Sequence, residues 1–329
     1  MNLRDVLHAI STTYHSIAIR DIAATKSRPK EPGNYVGHQL ASLIRNEAAE
    51  VLYDCVALGQ SNFTTTKGSP GQDDWAYVPW LAVYDPLASA GAMHGYYVVY
   101  LFDAPRKAVH LSLNQGTYSV QQEFKFRATE VLLDRAALMR RKISDVSTGF
   151  DTTRITFGHN SSLATNYAAG HIVGRTYEGE NLPGLGEIEA DLQHLMKVYR
   201  TLIFRGGLDF EDQKPDPAGS KKTLTEVRAY RLHKRIERNP KASKEAKKVH
   251  GYVCKCCEFD FAEEYGDRGK HYIEAHHIKP LSSLIEGAPV EYDIKNDFTV
   301  LCSNCHRMVH RHNDLIDVVT LKKKMKRRV

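Results

Sequence analysis

Two cysteine pairs in the C-terminal third of the chain have the spacing of a metal site. Cys254 and Cys257 form one C-x-x-C pair, and Cys302 and Cys305 form a second pair, with 44 residues between the two pairs. Two such pairs are typical of a tetrahedral structural zinc, because a short turn places both thiolates of a pair on one side of the ion. The separation is longer than in a simple zinc ribbon, so we expect a functional segment between the pairs. Cys256 lies inside the first pair and is interpreted as a spare thiol, with a ligand set that includes it as the alternative.

Four of the histidines in this intervening segment and directly after the second pair form a pattern. His276 and His277 are adjacent, His306 follows the second cysteine pair, and His310 comes one helical turn later. Residues i and i+4 of a helix face the same side, so His306 and His310 can act together. A neutral histidine can bind a divalent cation or accept the proton of a water molecule near neutral pH. The pattern therefore favours a functional cluster over four structural histidines.

These residues belong to a longer set of motifs that resembles the HNH (ββα-metal) endonucleases, in particular the branch related to the McrA restriction enzyme. The matching stretches are residues 250–254, 265–266, 273–281 and 297–310. The resemblance covers roughly residues 225–312, and its motifs occur in order, bracketed by the cysteine pairs. It implies a zinc-stabilised ββα fold that hydrolyses phosphodiester bonds of DNA.

The resemblance also assigns roles to the histidines. It implies that His277 is the general base that activates a water molecule, and that His276 and His306 bind one catalytic divalent cation per chain. This cation is expected to be Mg²⁺, with Mn²⁺, Co²⁺ or Ni²⁺ as alternatives, because histidine-rich sites often accept them. His310 is implied as a further ligand or a phosphate contact. The single Zn²⁺ per chain is implied to be structural.

The middle residue of the family motif departs from the usual pattern. An asparagine normally stands nine residues before the metal-binding histidine of the helix, and here that place is taken by Asp297, with Asn296 beside it. In the family this residue holds the loop that carries the base by hydrogen bonding. An aspartate can accept such hydrogen bonds but cannot donate as an amide does. The spacing to His306 favours Asp297 for this role, and Asn296 is the alternative through a shift of one residue.

Aromatic residues are concentrated between residues 75 and 100. On composition alone they predict the core of a sheet. The runs at 79–84 and 95–102, however, resemble the N-terminal domain of McrB-type restriction proteins, which flips a modified cytosine into an aromatic pocket. The resemblance covers roughly residues 1–210, with clear motifs at 60–120. It places Trp80 and Tyr97 in the pocket with Leu101 beside them. Trp75 is a further candidate, and Gln72 stands where the family has an aromatic residue, which leaves the preferred modification open.

The remaining N-terminal sequence predicts the elements that position this pocket. Hydrophobic spacing predicts helices at about 3–24, 37–58, 119–144 and 186–203, and strands at 78–84, 95–102 and 108–113. The polar segment 62–72 is expected to be a loop. Asn114 and Gln115, after the last strand, are candidates for hydrogen bonds to a flipped base. The expected fold class is α+β, with a mixed α/β base-recognition domain at 1–212 and a zinc-stabilised ββα-metal domain at 251–329.

Residues 213–250 between these domains are interpreted as a linker followed by a basic helix. The segment 212–220 has linker composition, and a helix is expected from about residue 223 to 250, broken or restarted at Pro240. Residues 214–329 carry 25 Lys and Arg against 16 Asp and Glu, whereas residues 1–213 carry 20 against 23. This asymmetry favours a nucleic-acid partner for the C-terminal part, with ordinary surface charge as the alternative. The candidate contacts to the DNA backbone are Lys221, Lys222, Arg228, Arg231, Arg235, Arg307 and Arg311.

The sequence lacks the signals of a membrane or secreted protein. It has no run of about eighteen apolar residues that could form a transmembrane helix. Its first residues have no basic region followed by an apolar stretch. We therefore expect no membrane partner and a location in the cytoplasm of a bacterial or archaeal cell, where disulfides are not formed.

Together these features predict a modification-dependent restriction endonuclease of the type IV kind. It would recognise 5-methyl- or 5-hydroxymethylcytosine in double-stranded DNA and hydrolyse phosphodiester bonds nearby. One HNH site cuts one strand, so a double-strand break requires two protomers, as in a homodimer, or two events. Two alternatives stay open at this point. The N-terminal domain could read unmodified DNA or a protein partner, or the chain could be a zinc-stabilised DNA-binding protein without catalysis.

Overall fold

The structure is a computed structural model that describes residues 1–25, 37–57, 64–72, 74–89, 91–208, 236–237, 240–278, 285–288, 293–310 and 317–325. The chain forms two compact units, Met1–Ala218 with Glu286–Pro289 and Gly219–Ile285 with Val290–Val329. Both units contain helices and strands, which agrees with the expected mixture of α and β structure. Within the described ranges, no helix combines the length and the apolar character needed to cross a bilayer.

A five-stranded antiparallel sheet forms the centre of the N-terminal unit. Its strands, in spatial order, are β1 (Thr65–Ser69), β2 (Trp80–Tyr84), β3 (Tyr96–Asp103), β4 (Ala108–Gln115) and β5 (Val173–Glu178). Side chains alternate between the two faces of a strand. On β3, Tyr97 and Leu101 therefore share one face, whereas Tyr96 lies on the other. All eight residues of β3 are buried, so both faces of the sheet must be covered there.

Helices cover both faces of this sheet. They are α1 (Leu3–Thr25), α2 (Gln39–Arg45), α3 (Glu47–Ala57), α4 (Thr117–Phe124), α5 (Ala128–Ile143), α6 (Ser162–Gly170) and α7 (Leu185–Phe204). Helices α1, α3 and α7 contact one another, and α7 also contacts β3 and β4. The ring of Tyr96 meets that of Tyr199 on α7 at 5.9 Å between centroids. The opposite face of β2 and β3 is covered by α6 together with Ile155 and Phe157.

The expected strands β2, β3 and β4 are confirmed within two residues of their bounds. Strands β1 and β5 were not anticipated. The segment 62–72 was expected to be a loop, and this was wrong for β1, which pairs in register with β2 from Thr65↔Tyr84 to Ser69↔Trp80. Its sequence has no large apolar residue, because it forms an edge of the sheet. Gly68 of β1 is required by packing, since an added Cβ would lie 1.7 Å from the carbonyl oxygen of Ile44.

The expected helices are present but two of them are divided. The stretch 37–58 contains α2 and α3, which are separated at Asn46. The stretch 119–144 contains α4 and α5, joined by a 3₁₀ turn at Lys125–Arg127. Lys125 has a φ of 49°, in the left-handed region, which ends α4. Apolar periodicity continues across both breaks, so it did not reveal them.

The C-terminal unit contains two antiparallel strands followed by a helix. Strand β6 (Glu274–His277) pairs with β7 (Phe298–Leu301), and α10 (Ser303–Val309) follows directly. The other helices are α8 (Pro240–His250), α9 (Phe261–Tyr265) and α11 (Val318–Lys324). The small core of this unit contains the cysteines of both pairs together with Ile273, Val300, Leu301 and Val309.

Helix α8 begins at Pro240, which confirms the expected restart at this residue. Proline is favoured in the first turn of a helix, because its missing amide has no intrahelical acceptor there. Helix α8 contacts both β6 and β7 and belongs to the C-terminal unit. The linker at 212–220 and the expected helical residues 223–235 lie outside the described residues.

Candidate metal centres and nucleic-acid interface

The four cysteines of the two C-x-x-C pairs converge in the C-terminal unit. Their sulfur atoms all lie within 4.8 Å of one another. The Sγ atoms of Cys257 and Cys302, from different pairs, are 3.6 Å apart. A zinc ion with Zn–S bonds of about 2.3 Å places sulfur atoms roughly 3.8 Å apart in a tetrahedron. The cluster therefore fits a structural zinc ion, as the sequence predicted.

Local backbone structure brings the two pairs together. The amide of Lys255 donates to the carbonyl of Val300 in β7 at 3.0 Å, which ties the first pair to the strand that leads into the second. Cys302 caps α10, where its Sγ accepts a hydrogen bond from the amide of Cys305 at 3.5 Å. Cys256 lies outside the four-sulfur cluster, and burial raises the pKa of its thiol. This agrees with its interpretation as a spare thiol.

A second cluster in the same unit combines three histidines with one carboxylate. His276, His306, His310 and Glu237 each contribute one donor atom, and these atoms lie within 4.8 Å of one another. Strand β6 carries His276, α10 carries His306, and His310 directly follows the end of α10. The structure thus brings together the three histidines that the sequence assigned to the catalytic cation. Glu237 was not anticipated.

The spacing of this cluster suits a transition-metal ion. The Nε2 atoms of His306 and His310 are 3.3 Å apart, and Oε1 of Glu237 lies 3.1 Å from Nε2 of His310 and 3.6 Å from Nε2 of His306. Bonds of about 2.0–2.1 Å from a tetrahedral ion place donor atoms roughly 3.3 Å apart. The donor set and its spacing therefore fit a bound divalent cation.

Glu274 orients His306 from outside the cluster. One carboxylate oxygen lies 2.6 Å from Nδ1 of His306, and the other accepts a hydrogen bond from Oγ of Ser303 at 2.7 Å. Burial opposes the charged form of His306, but its interactions with the carboxylates of Glu237 and Glu274 outweigh burial and raise the pKa of the imidazole. Burial acts against ionisation of Glu274 too, yet its bonds to Ser303 and His306 lower the pKa of the carboxyl. Such a carboxylate–histidine pair fixes the tautomer that a metal ligand needs.

His277, the expected general base, has no exposed surface in the structure. It follows His276 in β6, and its ring packs edge-on against Phe298 at 5.0 Å between centroids. Its backbone amide donates to Oε1 of Glu237 at 3.1 Å. The side chain is therefore held firmly beside the histidine cluster, but its role as a base depends on the access of water and stays a prediction.

The two candidates for the middle position of the HNH motif differ in what they bind. The backbone carbonyl of Asp297 accepts a hydrogen bond at 2.8 Å from the amide of Ile278, the residue after His277. The side chain of Asp297 accepts from the amide of Asp293, and the amide group of Asn296 also donates to Asp293. Asp297 thus fixes the residue next to the expected base, with its main chain rather than its side chain.

A cavity of about 470 Å³ opens beside the histidine cluster. Two cationic residues line it, Lys247 from α8 and Arg307 from α10, together with Ser243 of α8. Positive charge next to a cation site is suited to the phosphate of a nucleic acid. Arg307 was expected to contact the DNA backbone, and the structure places it here. The other candidates, Lys221, Lys222, Arg228, Arg231, Arg235 and Arg311, lie outside the described residues.

In the N-terminal unit, three of the five expected pocket residues lie together. Trp80 and Leu101 are directly opposed on β2 and β3, and Tyr97 lies on the same face of β3. All three contact one apolar cluster that includes Tyr84 and Tyr167. Trp80 is partly exposed, whereas Tyr97 and Leu101 are almost fully buried. Trp80 therefore offers the accessible ring of this group.

Trp75 does not join this group, whereas the placement of Gln72 in the pocket stays a prediction. Trp75 is buried between Tyr14 and His38, with both ring centroids 5.2 Å away. Gln72 is exposed and follows Gly71, next to Pro70, whose carbonyl accepts a hydrogen bond from the hydroxyl of Tyr14. The Trp75 ring is therefore part of the packing between α1 and the segment after β1.

Asn114 and Gln115 both make hydrogen bonds that hold the N-terminal unit together. The amide group of Asn114 donates to the carbonyl of Tyr167, and that of Gln115 donates to the carbonyls of Leu132 and Gly170. Both side chains are buried at the end of β4. Their amide donors hold neighbouring helices, and a contact of either residue with a base stays a prediction.

Three functional candidates escaped the sequence analysis although signals existed. Glu237 is one of only three acidic residues among eleven basic ones between residues 221 and 248. Lys247 shares a helical face with Ser243, four residues earlier. Glu274 and His276 are two positions apart in a strand and therefore face the same side. A functional role can be assigned to each of these residues only when the position of the histidine cluster is known.

Comparison with protein families identifies the N-terminal unit. Residues 24–203 match the family described as MrcB-like, N-terminal domain. The match covers more than half of the chain, so the protein belongs to this family, which supports the expected McrB-like character of the N-terminal part. The membership suggests a DNA-recognition role. No curated protein and no solved structure matches the chain.

Proposed function

We propose that the protein is a DNA endonuclease whose cleavage depends on a modified cytosine. The family of the N-terminal unit supports the DNA-recognition half. The observation that carries the catalytic half is the convergence of His276, His306 and His310 beside a cavity that Lys247 and Arg307 line. The resemblance of the same residues to the HNH motif supports this assignment, as does the order of two antiparallel strands and a helix.

Each side chain of the site has a part in phosphodiester hydrolysis. A divalent cation bound by His276, His306 and His310 supplies charge stabilisation at the scissile phosphate and the leaving oxygen. Lys247 and Arg307 bind the phosphate from the cavity wall, and Glu274 holds His306 in its ligand tautomer. His277 accepts the proton of the attacking water. Because its imidazole is buried in the DNA-free chain, we propose that water reaches it when DNA is bound.

The four-cysteine cluster has a structural part in this proposal. The C-terminal unit has a small hydrophobic core, and three cysteines of the cluster, Cys254, Cys302 and Cys305, are among its eight buried members. Zinc binding to such a cluster contributes directly to folding free energy. The zinc ion would therefore hold β7 and α10, and with them His306, in place.

The base-reading part of the proposal rests on Trp80. A flipped pyrimidine needs an aromatic face for stacking, and Trp80 is the partly exposed ring above Tyr97 and Leu101. Base stacking on an aromatic side chain contributes about 1–3 kcal/mol. We propose that this face receives a 5-methyl- or 5-hydroxymethylcytosine from double-stranded DNA.

One alternative is favoured by a specific observation. The complete burial of His277 fits a zinc-stabilised DNA-binding protein without catalysis, in which the histidine is structural. In that case the chain would bind DNA without cleaving it. The cleavage test below separates the two functions.

The deciding experiment compares cleavage of three DNA molecules that differ only in carrying cytosine, 5-methylcytosine or 5-hydroxymethylcytosine, with Mg²⁺ or Mn²⁺ present. The variant His277→Ala tests the base, and His271→Asn, at an exposed histidine of the same unit, serves as its control. We expect cleavage of modified DNA alone, lost in His277→Ala and kept in His271→Asn. Equal cleavage of all three molecules would remove the modified-base reader from the proposal. Binding without cleavage would favour the non-catalytic alternative.

A further inference from the structure

Glu237 precedes helix α8 and lies within the histidine cluster. We propose that Glu237 is the fourth protein ligand of the cation, so that the centre consists of three imidazoles and one carboxylate. The inference rests on the proposed cation site of the endonuclease and adds a ligand that lies outside the segment between the cysteine pairs. It also moves the start of the catalytic unit upstream of the expected boundary at residue 251.

The geometry of the carboxylate carries this inference. Oε1 of Glu237 lies 2.5 Å from Nδ1 of His276, and Nε2 of His310 lies 3.0 Å from Oε2 and 3.1 Å from Oε1. Nε2 of His306 is 3.6 Å from Oε1. One carboxylate thus faces the donor nitrogens of three histidines that come from a strand and from a helix and its end. An ordinary surface ion pair joins two side chains and has no such convergence.

Burial makes a purely structural carboxylate costly at this position. The side chain of Glu237 is only 6% exposed, and that of His276 is 3% exposed. A buried carboxylate is strongly destabilising unless positive charge neutralises it. A divalent cation at the centre of the cluster would neutralise Glu237 while the three imidazoles stay neutral, which is the form that binds metals.

The surrounding backbone holds Glu237 in position. Its Oε1 accepts a hydrogen bond from the amide of His277 at 3.1 Å, which anchors the carboxylate to β6. The preceding residue, Ile236, is completely buried. Helix α8, which starts three residues later, also contributes Ser243 and Lys247 to the cavity beside the cluster. The same part of the chain therefore supplies a ligand and a phosphate contact.

The fourth ligand has a consequence for the choice of metal. Three nitrogen donors and one carboxylate suit Mn²⁺, Co²⁺, Ni²⁺ and Zn²⁺, whereas Mg²⁺ prefers oxygen ligands and retains several water molecules. With four protein ligands, the ion would have to take a phosphate or water as a further ligand. We therefore expect the centre to bind the transition metals much more tightly than Mg²⁺.

The test measures cation binding directly. Full-length protein with zinc already bound at the cysteines is titrated with Co²⁺, whose visible absorption reports the number and type of its ligands. The variants are Glu237→Gln and Glu237→Ala, with Glu245→Gln as control, since Glu245 is an α8 carboxylate that is paired with Lys248 and does not line the cavity. We expect one Co²⁺ per chain in the wild type and at least about tenfold weaker binding in both Glu237 variants, with an altered spectrum. Glu245→Gln should bind as the wild type does.

Unchanged Co²⁺ affinity and spectrum in Glu237→Ala would overturn the inference, because the carboxylate would then be only a hydrogen-bond partner of the histidines. Far-ultraviolet circular dichroism and the zinc content establish that each variant is folded. Should both Glu237 variants fail to fold, a crystal structure of the wild-type chain with Mn²⁺ decides. A Glu237 oxygen within coordination distance supports the inference, and an oxygen beyond it overturns the inference.

Cleavage of modified DNA, measured in parallel, separates this inference from the proposed function. Binding of Co²⁺ that depends on Glu237, without any cleavage by the wild type, would support the ligand and contradict the endonuclease. Cleavage by the wild type together with unaltered cation binding by Glu237→Gln would support the endonuclease and contradict the ligand.

Discussion

Nδ1 of His306 and Oε2 of Glu274 are 2.6 Å apart, so this carboxylate determines which imidazole nitrogen of His306 faces the cation site. The Nδ1–H group donates to Glu274, which leaves the lone pair of Nε2 directed at His310 and Glu237. Ser303 fixes the second carboxylate oxygen at 2.7 Å. The ligand geometry of α10 therefore depends on a residue of β6 that need not touch the metal.

The first prediction concerns this pair. Glu274→Gln keeps the shape of the side chain but removes its charge, which weakens its hold on the His306 tautomer. We expect the affinity for Mn²⁺ to fall about 10- to 100-fold, the usual effect of losing such a partner of a ligand. Calorimetric titration of the zinc-loaded chain measures this, with Glu263→Gln on the exposed side of α9 as the control. Equal Mn²⁺ affinity in both variants would show that Glu274 has no positioning role.

The second prediction concerns the cationic wall of the cavity. Lys247→Ala should weaken DNA binding about equally for modified and unmodified DNA, because a phosphate contact carries no sequence information. The slope of the logarithm of the binding constant against the logarithm of salt concentration should decrease by about 0.9 for one lost phosphate contact. Fluorescence anisotropy over a series of salt concentrations measures both quantities. Lys244→Ala is the matched control, since Lys244 is an exposed lysine of α8 outside the cavity lining. An identical salt slope in both variants would contradict a phosphate contact by Lys247.

The C-terminal site could be largely anticipated from the sequence because its residues are chemically distinctive. The spacing of Cys254, Cys257, Cys302 and Cys305 is enough to indicate a common metal, and the histidine pattern indicates a second one. Glu237 could not be assigned in this way. It lies in a basic segment without a metal-ligand spacing, and only the tertiary contact of that segment with β6 brings it to His276.

The N-terminal unit was harder to predict, since its signals are those of any packed sheet. Trp75 and Trp80 are close in sequence and similar in type, but the chain turns between them. The ring of Trp75 consequently packs against Tyr14 of α1, whereas the ring of Trp80 lies on the face of β2 and β3. The edge strand β1 was missed because backbone pairing with β2 stabilises it, and this pairing does not require apolar side chains. Sequence periodicity shows neither the direction of such a turn nor the pairing of an edge strand.

The third prediction concerns Trp80. Trp80→Ala should remove the stacking face for a flipped base, which contributes about 1–3 kcal/mol, and so weaken binding of DNA with modified cytosine about 5- to 150-fold. Trp80→Phe retains a ring and should retain part of the affinity. Tyr77→Ala removes a 49% exposed ring that stacks on His159, and it controls for the loss of any surface aromatic. Competition binding with modified and unmodified duplexes measures the effect. Undiminished preference for modified DNA in Trp80→Ala would exclude this residue from the reader.

The last prediction concerns the pH dependence of stability in the N-terminal unit. Burial lowers the pKa of His110 and of His171 to about 4, helped by the nearby charges of Arg106 and Arg140 respectively. A histidine in the unfolded chain has a pKa of about 6.5. Between about pH 4 and pH 6.5 the unfolded chain therefore binds protons at these two histidines, whereas the folded unit does not. The stability that each neutral histidine contributes is therefore complete above pH 6.5 and is lost as the pH falls toward 4. For one histidine the loss at pH 5 is about 2 kcal/mol.

Comparison with His110→Gln isolates this effect from other buried groups, among them Asp85, whose carboxyl pKa is raised by burial. The packing cost of the substitution is present at every pH and cancels when two pH values are compared. Between pH 7.5 and pH 5, the free energy of unfolding should fall by about 2 kcal/mol less in His110→Gln than in the wild type. Urea unfolding followed by tryptophan fluorescence reports this unit alone, because both tryptophans of the chain, Trp75 and Trp80, lie in it. Equal pH dependence in the two proteins would mean that His110 remains protonated, or equally titratable, in the folded chain.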